Sequence, residues 1–190
     1  MADFDLSTVS RTLDELLSKT DLSKTTEEGA SFDLPDGYYL CEVKKSEFTA
    51  TKSTGNPMIA FEYLTIEDGK KTIVDEQGYA QLVDAPKTAN KKIFQNYVLS
   101  NEMNLGFFVS DMLKFQDPDT NESLFDKETD FKTTKDIVRV CDSLVETGMI
   151  IYIMVQTTKR KNLQTGEEEK VKKYNPISWN RARRLGLLED

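Results

Sequence analysis

Leu34-Pro35-Asp36-Gly37-Tyr38-Tyr39-Leu40-Cys41-Glu42-Val43-Lys44 is the stretch on which the reading of this chain turns. Pro presets one backbone dihedral and Gly permits a positive φ, so its first four residues are a turn signal. Beyond them Tyr39, Cys41 and Val43 alternate with Leu40, Glu42 and Lys44, and the run continues through Phe48 and Thr49. Strand side chains point alternately to either side, so this spacing predicts a long strand with one apolar face. A domain therefore opens near residue 33.

Working outward, Ser53-Thr54-Gly55-Asn56-Pro57 breaks the strand. Residues 58–66 are apolar on both phases, which predicts a central strand covered on both sides. Glu67-Asp68-Gly69-Lys70 has the composition of a hairpin turn. Residues 72–89, interrupted by Gly78 and Pro86, are expected to form an extra hairpin and loop. Over residues 92–99, Phe94 and Val98 alternate against Ile93, Tyr97 and Leu99, which predicts another strand.

A helical section follows. Asn101 caps a helix carrying Met103, Phe107, Met112, Leu113 and Phe115; Thr133 or Thr134 caps a second with Ile137, Val138, Cys141, Leu144 and Val145, ending at Gly148. The last strands are residues 149–158 and 168–177, joined through Asn162-Leu163-Gln164-Thr165-Gly166. Three strands, a helical section and two strands is the element order of the OB-fold, a five-stranded barrel whose open face binds oligonucleotides, although small α+β sandwiches share that order. The expected class is mainly β with helices (α+β): a five-stranded OB barrel over residues 33–180, with a helical insertion between its third and fourth strands.

Ahead of this domain, Leu6, Val9, Leu13, Leu16 and Leu17 recur at helical spacing, while residues 21–31 hold little to bury. Residues 1–32 are thus expected to be an amphipathic helix on a flexible linker, and residues 181–190 a basic, then acidic, tail. The 190 residues, 38% hydrophobic, suffice for one sizeable core. No stretch approaches the roughly 18 apolar residues of a membrane span, and the first residues lack the pattern of a secretory leader. The expectation is a soluble, cytoplasmic protein. Cys41 and Cys141, far apart, are expected as buried free thiols.

The chain holds no histidine, which removes His-based triads, imidazole acid/base catalysis and His-containing zinc sites. No phosphate-cradling glycine loop is present either. Asp117, Asp119, Asn121 and Glu128 fall at calcium-loop positions, but Glu122 stands where the sharp turn requires Gly, and an acidic surface loop is the better reading. No catalytic residue, metal or cofactor is expected.

A net charge of −8 argues at first against a polyanion partner. Its distribution argues otherwise, because residues 159–184 carry nine Lys or Arg against three Glu. Binding a single strand takes cations along the backbone track and aromatic faces on which unstacked bases lie. The last hairpin carries Lys159, Arg160 and Lys161 on one arm and Lys170, Lys172 and Lys173 on the other, followed by Tyr174 and Trp179. Strand alternation puts Lys170, Lys172 and Tyr174 on one face. Lys44, Lys45, Phe48 and Lys52 form a second candidate group on the first strand and its turn. Both groups are expected to line one trough. The competing reading has Tyr174 and Trp179 capping the barrel, with the lysines merely solubilising an edge hairpin.

Residues 34–43, followed by Thr51-Lys52-Ser53-Thr54-Gly55-Asn56-Pro57-Met58, resemble the opening of phage-encoded OB-fold single-stranded-DNA-binding proteins. Phe4-Asp5-Leu6-Ser7-Thr8-Val9 is similar to their N-terminal segment, and the matches cover about a third of the chain. The resemblance implies protection of transient single-stranded DNA during phage replication or recombination. Such proteins often end in a long acidic tail; this chain ends Leu185-Gly186-Leu187-Leu188-Glu189-Asp190, a short tip of similar character. That tip or the N-terminal helix is the expected contact for phage or host replication proteins. The alternative is a phage adaptor whose OB-like barrel binds a host or replication protein and not DNA. Oligomeric state is not written in the sequence.

Overall fold

A computed structural model describes residues 34–161 and 166–188, and the chain divides into two units between Asp33 and Leu34. The expected N-terminal helix and linker, the tip of the last hairpin and the final two residues lie outside the described residues. The unit from Leu34 onward is mostly antiparallel β-sheet with three helices among the described residues. In chain order the strands are β1 (Gly37–Ala50), β2 (Pro57–Thr65), β3 (Gly69–Val74), β4 (Ala80–Ala85) and β5 (Lys92–Val98), then β6 (Ile150–Lys161) and β7 (Glu168–Ile177). Helices α1 (Glu102–Met112) and α2 (Thr134–Glu146) separate β5 from β6, and α3 (Trp179–Arg184) follows β7.

β1 organises the sheet. One edge pairs with β2 over residues 41–50 and the other with β6 over residues 37–42. β2 then pairs with β5, and β6 with β7. The main core follows the alternation read from the sequence: Tyr39, Cys41 and Val43 are buried with Ile59, Phe61, Tyr63, Ile93, Ile151 and Ile153. Against them pack Phe108 and Met112 of α1, and Ile137, Val140, Cys141 and Leu144 of α2. Helix starts are set by local hydrogen bonds. Asn101 accepts from Asn104 N, and Thr133 with Asp136 forms a reciprocal capping box.

Several expectations are corrected here. The sheet has seven strands and is open, where five strands in a barrel were expected. No backbone ladder joins β5 to β7 among the described residues; instead Gln95 Nε2 donates to Tyr174 O at 2.8 Å. The two additional strands, β3 and β4, are the hairpin expected within residues 72–89, starting three residues earlier.

Residues 67–70 do not turn β2 back on itself. β3 runs on along the same edge of β1, with Gly37 opposite Lys71 and Tyr38 opposite Lys70. Two glycines allow that approach: a Cβ at Gly37 would stand 2.1 Å from Lys70 O, and one at Gly69 would stand 2.3 Å from the Tyr39 ring. The return from β4 is tied to β2 by buried hydroxyls. Thr65 Oγ1 donates to Thr88 O at 2.6 Å, and Thr88 Oγ1 accepts from Gly69 N at 2.9 Å.

Nor are residues 181–188 a separate tail. Ala182, Trp179, Tyr152 and Ile177 form a second buried cluster on the opposite side of the β1–β6–β7 sheet, joined by Tyr38, Leu40, Leu185, Leu187 and Leu188. Tyr152 Oη donates to Leu187 O at 2.9 Å. The apolar part of the tip is spent on the domain itself.

Candidate nucleic-acid interface

β6 stops pairing with β1 at Val155, yet its ladder with β7 continues to Lys161 opposite Glu168. Six further residues at about 3.3 Å each make an arm roughly 20 Å long. Its register puts Thr157 opposite Lys172 and Lys159 opposite Lys170, continuing the inward side set by Val155 and Tyr174. Lys170, Lys172 and Tyr174 therefore share a side, as the alternation predicts. Gln156 with Lys173, and Arg160 with Glu169, occupy the other side. Arg160, Lys161, Lys170 and Lys173 are exposed; Lys159 pairs with Glu168 at 3.1 Å, and Lys172 Nζ donates to Leu34 O.

The two aromatic candidates, Tyr174 on β7 and Trp179 at the start of α3, are less accessible than expected. Tyr174 is half-buried against the main core, and its carbonyl takes the Gln95 hydrogen bond. Trp179 is 8% exposed and meets Tyr152 edge-on, with ring centroids 5.8 Å apart. A buried ring with this packing offers no face to a base, so Trp179 caps the second cluster and is no stacking platform.

The group on β1 is not brought together. A bulge between Val43 and Lys45 shifts the register. Phe48 then stands opposite Ile59, on the inner side, whereas Lys45 stands opposite Glu62, on the outer side. Phe48 is 47% exposed at the end of the core, and Lys52 is exposed on the turn between β1 and β2. Lys44 pairs with Glu42 at 2.5 Å and Lys45 with Glu47 at 2.9 Å. Nor do the two groups share a trough. The β6–β7 arm leaves β1 past Gly37, while Lys52 lies past Ala50, at its far end.

Residues near the arm that sequence reasoning did not single out complete the surface. Tyr38 pairs with Met154 and Lys70, and Met154 pairs with Asn175, so these side chains and Gln156, Lys173 and Thr72 share the side away from the main core. A cavity of about 220 Å³ opens there, lined by Asp36, Gly37, Tyr38, Thr72, Met154, Val155 and Gln156. Asp36 is held in place: its carboxylate accepts from Thr157 N at 2.9 Å and from Thr157 Oγ1 at 2.6 Å. Phe94, 60% exposed, lies on the outer side opposite Glu62, which pairs with Lys92 at 2.6 Å. Its phase, opposite to Ile93, Gln95 and Tyr97, was the available signal.

The remaining chemistry is structural. In the loop with calcium-like spacing, Asp117 Oδ1 accepts from Asp119 N at 2.8 Å and Thr120 N at 2.9 Å, which holds its carboxyl below the usual range. Asn121 Oδ1 accepts from Arg183 at 2.7 Å. No cluster of three or more metal-ligating side chains occurs among the described residues. Cys41 and Cys141 are buried free thiols, and burial pushes Cys141 up to about 12. Among the described residues, no helix is long and apolar enough to cross a membrane. Neither a protein-family model nor a curated protein matches the chain.

Proposed function

We propose that this protein binds single-stranded DNA without chemistry, through the β6–β7 arm and the surface continuous with it. The observation that carries the reading is the arm itself, with Lys159, Arg160, Lys161, Lys170, Lys172 and Lys173 on a ribbon extending beyond the last pairing with β1. A ribbon with Arg160 and Lys173 exposed on one side and Lys161 and Lys170 on the other meets phosphates from either side and releases their counterions.

The fold supports the same reading. Setting the β3–β4 hairpin aside, the ladder β5-β2-β1-β6-β7 is the strand order of an OB barrel left open at one seam, which Gln95 spans. In that barrel the loop joining the last two strands contacts oligonucleotides. The resemblance of the first third of the chain to phage proteins of this kind points toward a role in phage replication or recombination. Base stacking falls to Tyr38, which shares a side of the sheet with Gln156 and Lys173, since Trp179 is buried.

The test is fluorescence anisotropy with a labelled oligo-dT across a salt series, with duplex of equal length as control. Binding is expected to weaken log-linearly with salt, to favour the single strand, and to drop at least ten-fold when Arg160, Lys161, Lys170 and Lys173 are replaced together by Glu. Absence of binding at low salt would leave the adaptor reading in its place.

A further inference from the structure

The cavity between β3, β1 and β6 holds none of the arm's cations in its lining, which is unlike a phosphate site. It offers one aromatic ring, Tyr38, one thioether, Met154, and polar groups on Asp36, Thr72 and Gln156. Its volume of about 220 Å³ falls below the roughly 300–1,000 Å³ of pockets that hold drug-sized ligands, so it suits a single ring system. Lys173 stands directly across the ladder from Gln156, at the cavity's rim. A cation beside a ring-sized pocket is what a nucleotide needs, with phosphate outside and base inside.

We propose that this cavity takes one base of the bound strand and prefers cytosine over thymine. The inference rests on the single-stranded-DNA reading above. Tyr38, half-buried against the second cluster, supplies a face fixed by its packing. Asp36 is the sole formal charge in the lining, and its carboxylate only accepts hydrogen bonds. The two groups of Thr157 that hold it use Oδ1 twice and Oδ2 once, leaving acceptor capacity on a preorganised carboxylate. Cytosine presents an exocyclic amino group that a carboxylate accepts from at the end of its edge, while thymine's one donor there, N3–H, is flanked by two carbonyl oxygens that a carboxylate repels. Gln156 accepts or donates as the base requires. Lys173 offsets the charge of Asp36 toward the approaching phosphate.

The experiment measures affinity for oligo-dC and oligo-dT of one length at low salt, for the full chain and for Asp36→Asn and Gln156→Ala. The wild type is expected to hold oligo-dC about five-fold or more tightly than oligo-dT, the lower end of what one well-placed base contact discriminates. Asp36→Asn, which keeps an oxygen for Thr157 and turns an amide donor toward the base, is expected to bring that ratio close to one, while Gln156→Ala is expected to weaken both oligonucleotides alike; neither changes the salt slope. Gln156 is exposed, so its variant still tests the pocket if Asp36→Asn fails to fold. Equal wild-type affinities, an undiminished ratio in folded Asp36→Asn, or unweakened binding in Gln156→Ala would overturn the base pocket and leave DNA binding standing. A wild type that retains neither oligonucleotide would instead refute DNA binding itself.

Discussion

Replacing Trp179 by Ala separates a structural ring from a stacking one. Trp179 is 8% exposed, wedged between the β6–β7 sheet and the leucines after α3. A buried Trp hides roughly 150–250 Å². At about 25 cal/mol per Å² that is roughly 4–6 kcal/mol, an upper bound because the unfolded chain already covers part of the surface. The edge-on contact with Tyr152 contributes about 1 kcal/mol more. Trp→Ala changes in cores commonly cost about 3–5 kcal/mol, and that is the loss expected here. Urea unfolding followed by far-UV circular dichroism measures it, at a temperature where the variant remains folded. Oligo-dT affinity of the folded variant is expected to stay within about two-fold of wild type. Because Trp179 is the only tryptophan, wild-type emission is expected to be blue-shifted and unchanged by added oligonucleotide. Strong quenching by DNA, or a variant of full stability with affinity lost by more than 1 kcal/mol, would refute the burial argument and restore the ring as a platform.

Two further predictions follow from packing. Gly37→Ala sets a methyl group against Lys70 O, and since that neighbour is backbone, β3 must move; a loss of about 1–3 kcal/mol is expected, with faster amide exchange confined to β3 and β4 as the signature. The thiols give a pH dependence. Burial raises Cys141 to about 12, so the folded state holds its proton more tightly than the unfolded chain, whose thiols titrate near 8.5. Their contribution is complete below that pH and is lost as pH rises from about 8.5 toward 12. Denaturation midpoints are expected to fall over that range, less so in Cys141→Ala, and a thiol reagent at pH 8 is expected to react only in denaturant.

How much was legible beforehand differs between elements. The strand from Gly37, the paired phases of Ile93 and Phe94, the two capped helices and the inward side shared by Lys170, Lys172 and Tyr174 all depend on periodicity and on side chains bonding to nearby backbone. Such signals are local, so a sequence carries them openly. That strands precede and follow a helical section was likewise legible, since it only counts periodic segments along the chain.

The candidate site fared less well for an equally physical reason. The bulge at Lys44 inverts the phase of everything beyond it on β1, and one extra residue carries no mark in composition. Trp179 reads the same whether it caps a cluster or faces solvent, until the leucines at positions 185, 187 and 188 fold back over it.

By itself, the sequence settled where most of the strands and the two long helices lie, which side of β1 is apolar up to its bulge, and that histidine chemistry is excluded. Those properties belong to neighbours along the chain, where hydrogen bonding and side-chain direction repeat with fixed periods. Tertiary structure alone decided that β3 continues along the edge used by β2, that the two basic regions part to opposite ends of β1, and that Tyr38, Thr72 and Gln156 surround one cavity. These depend on pairings between residues up to about 120 positions apart, which loop closure and packing select and no local period encodes.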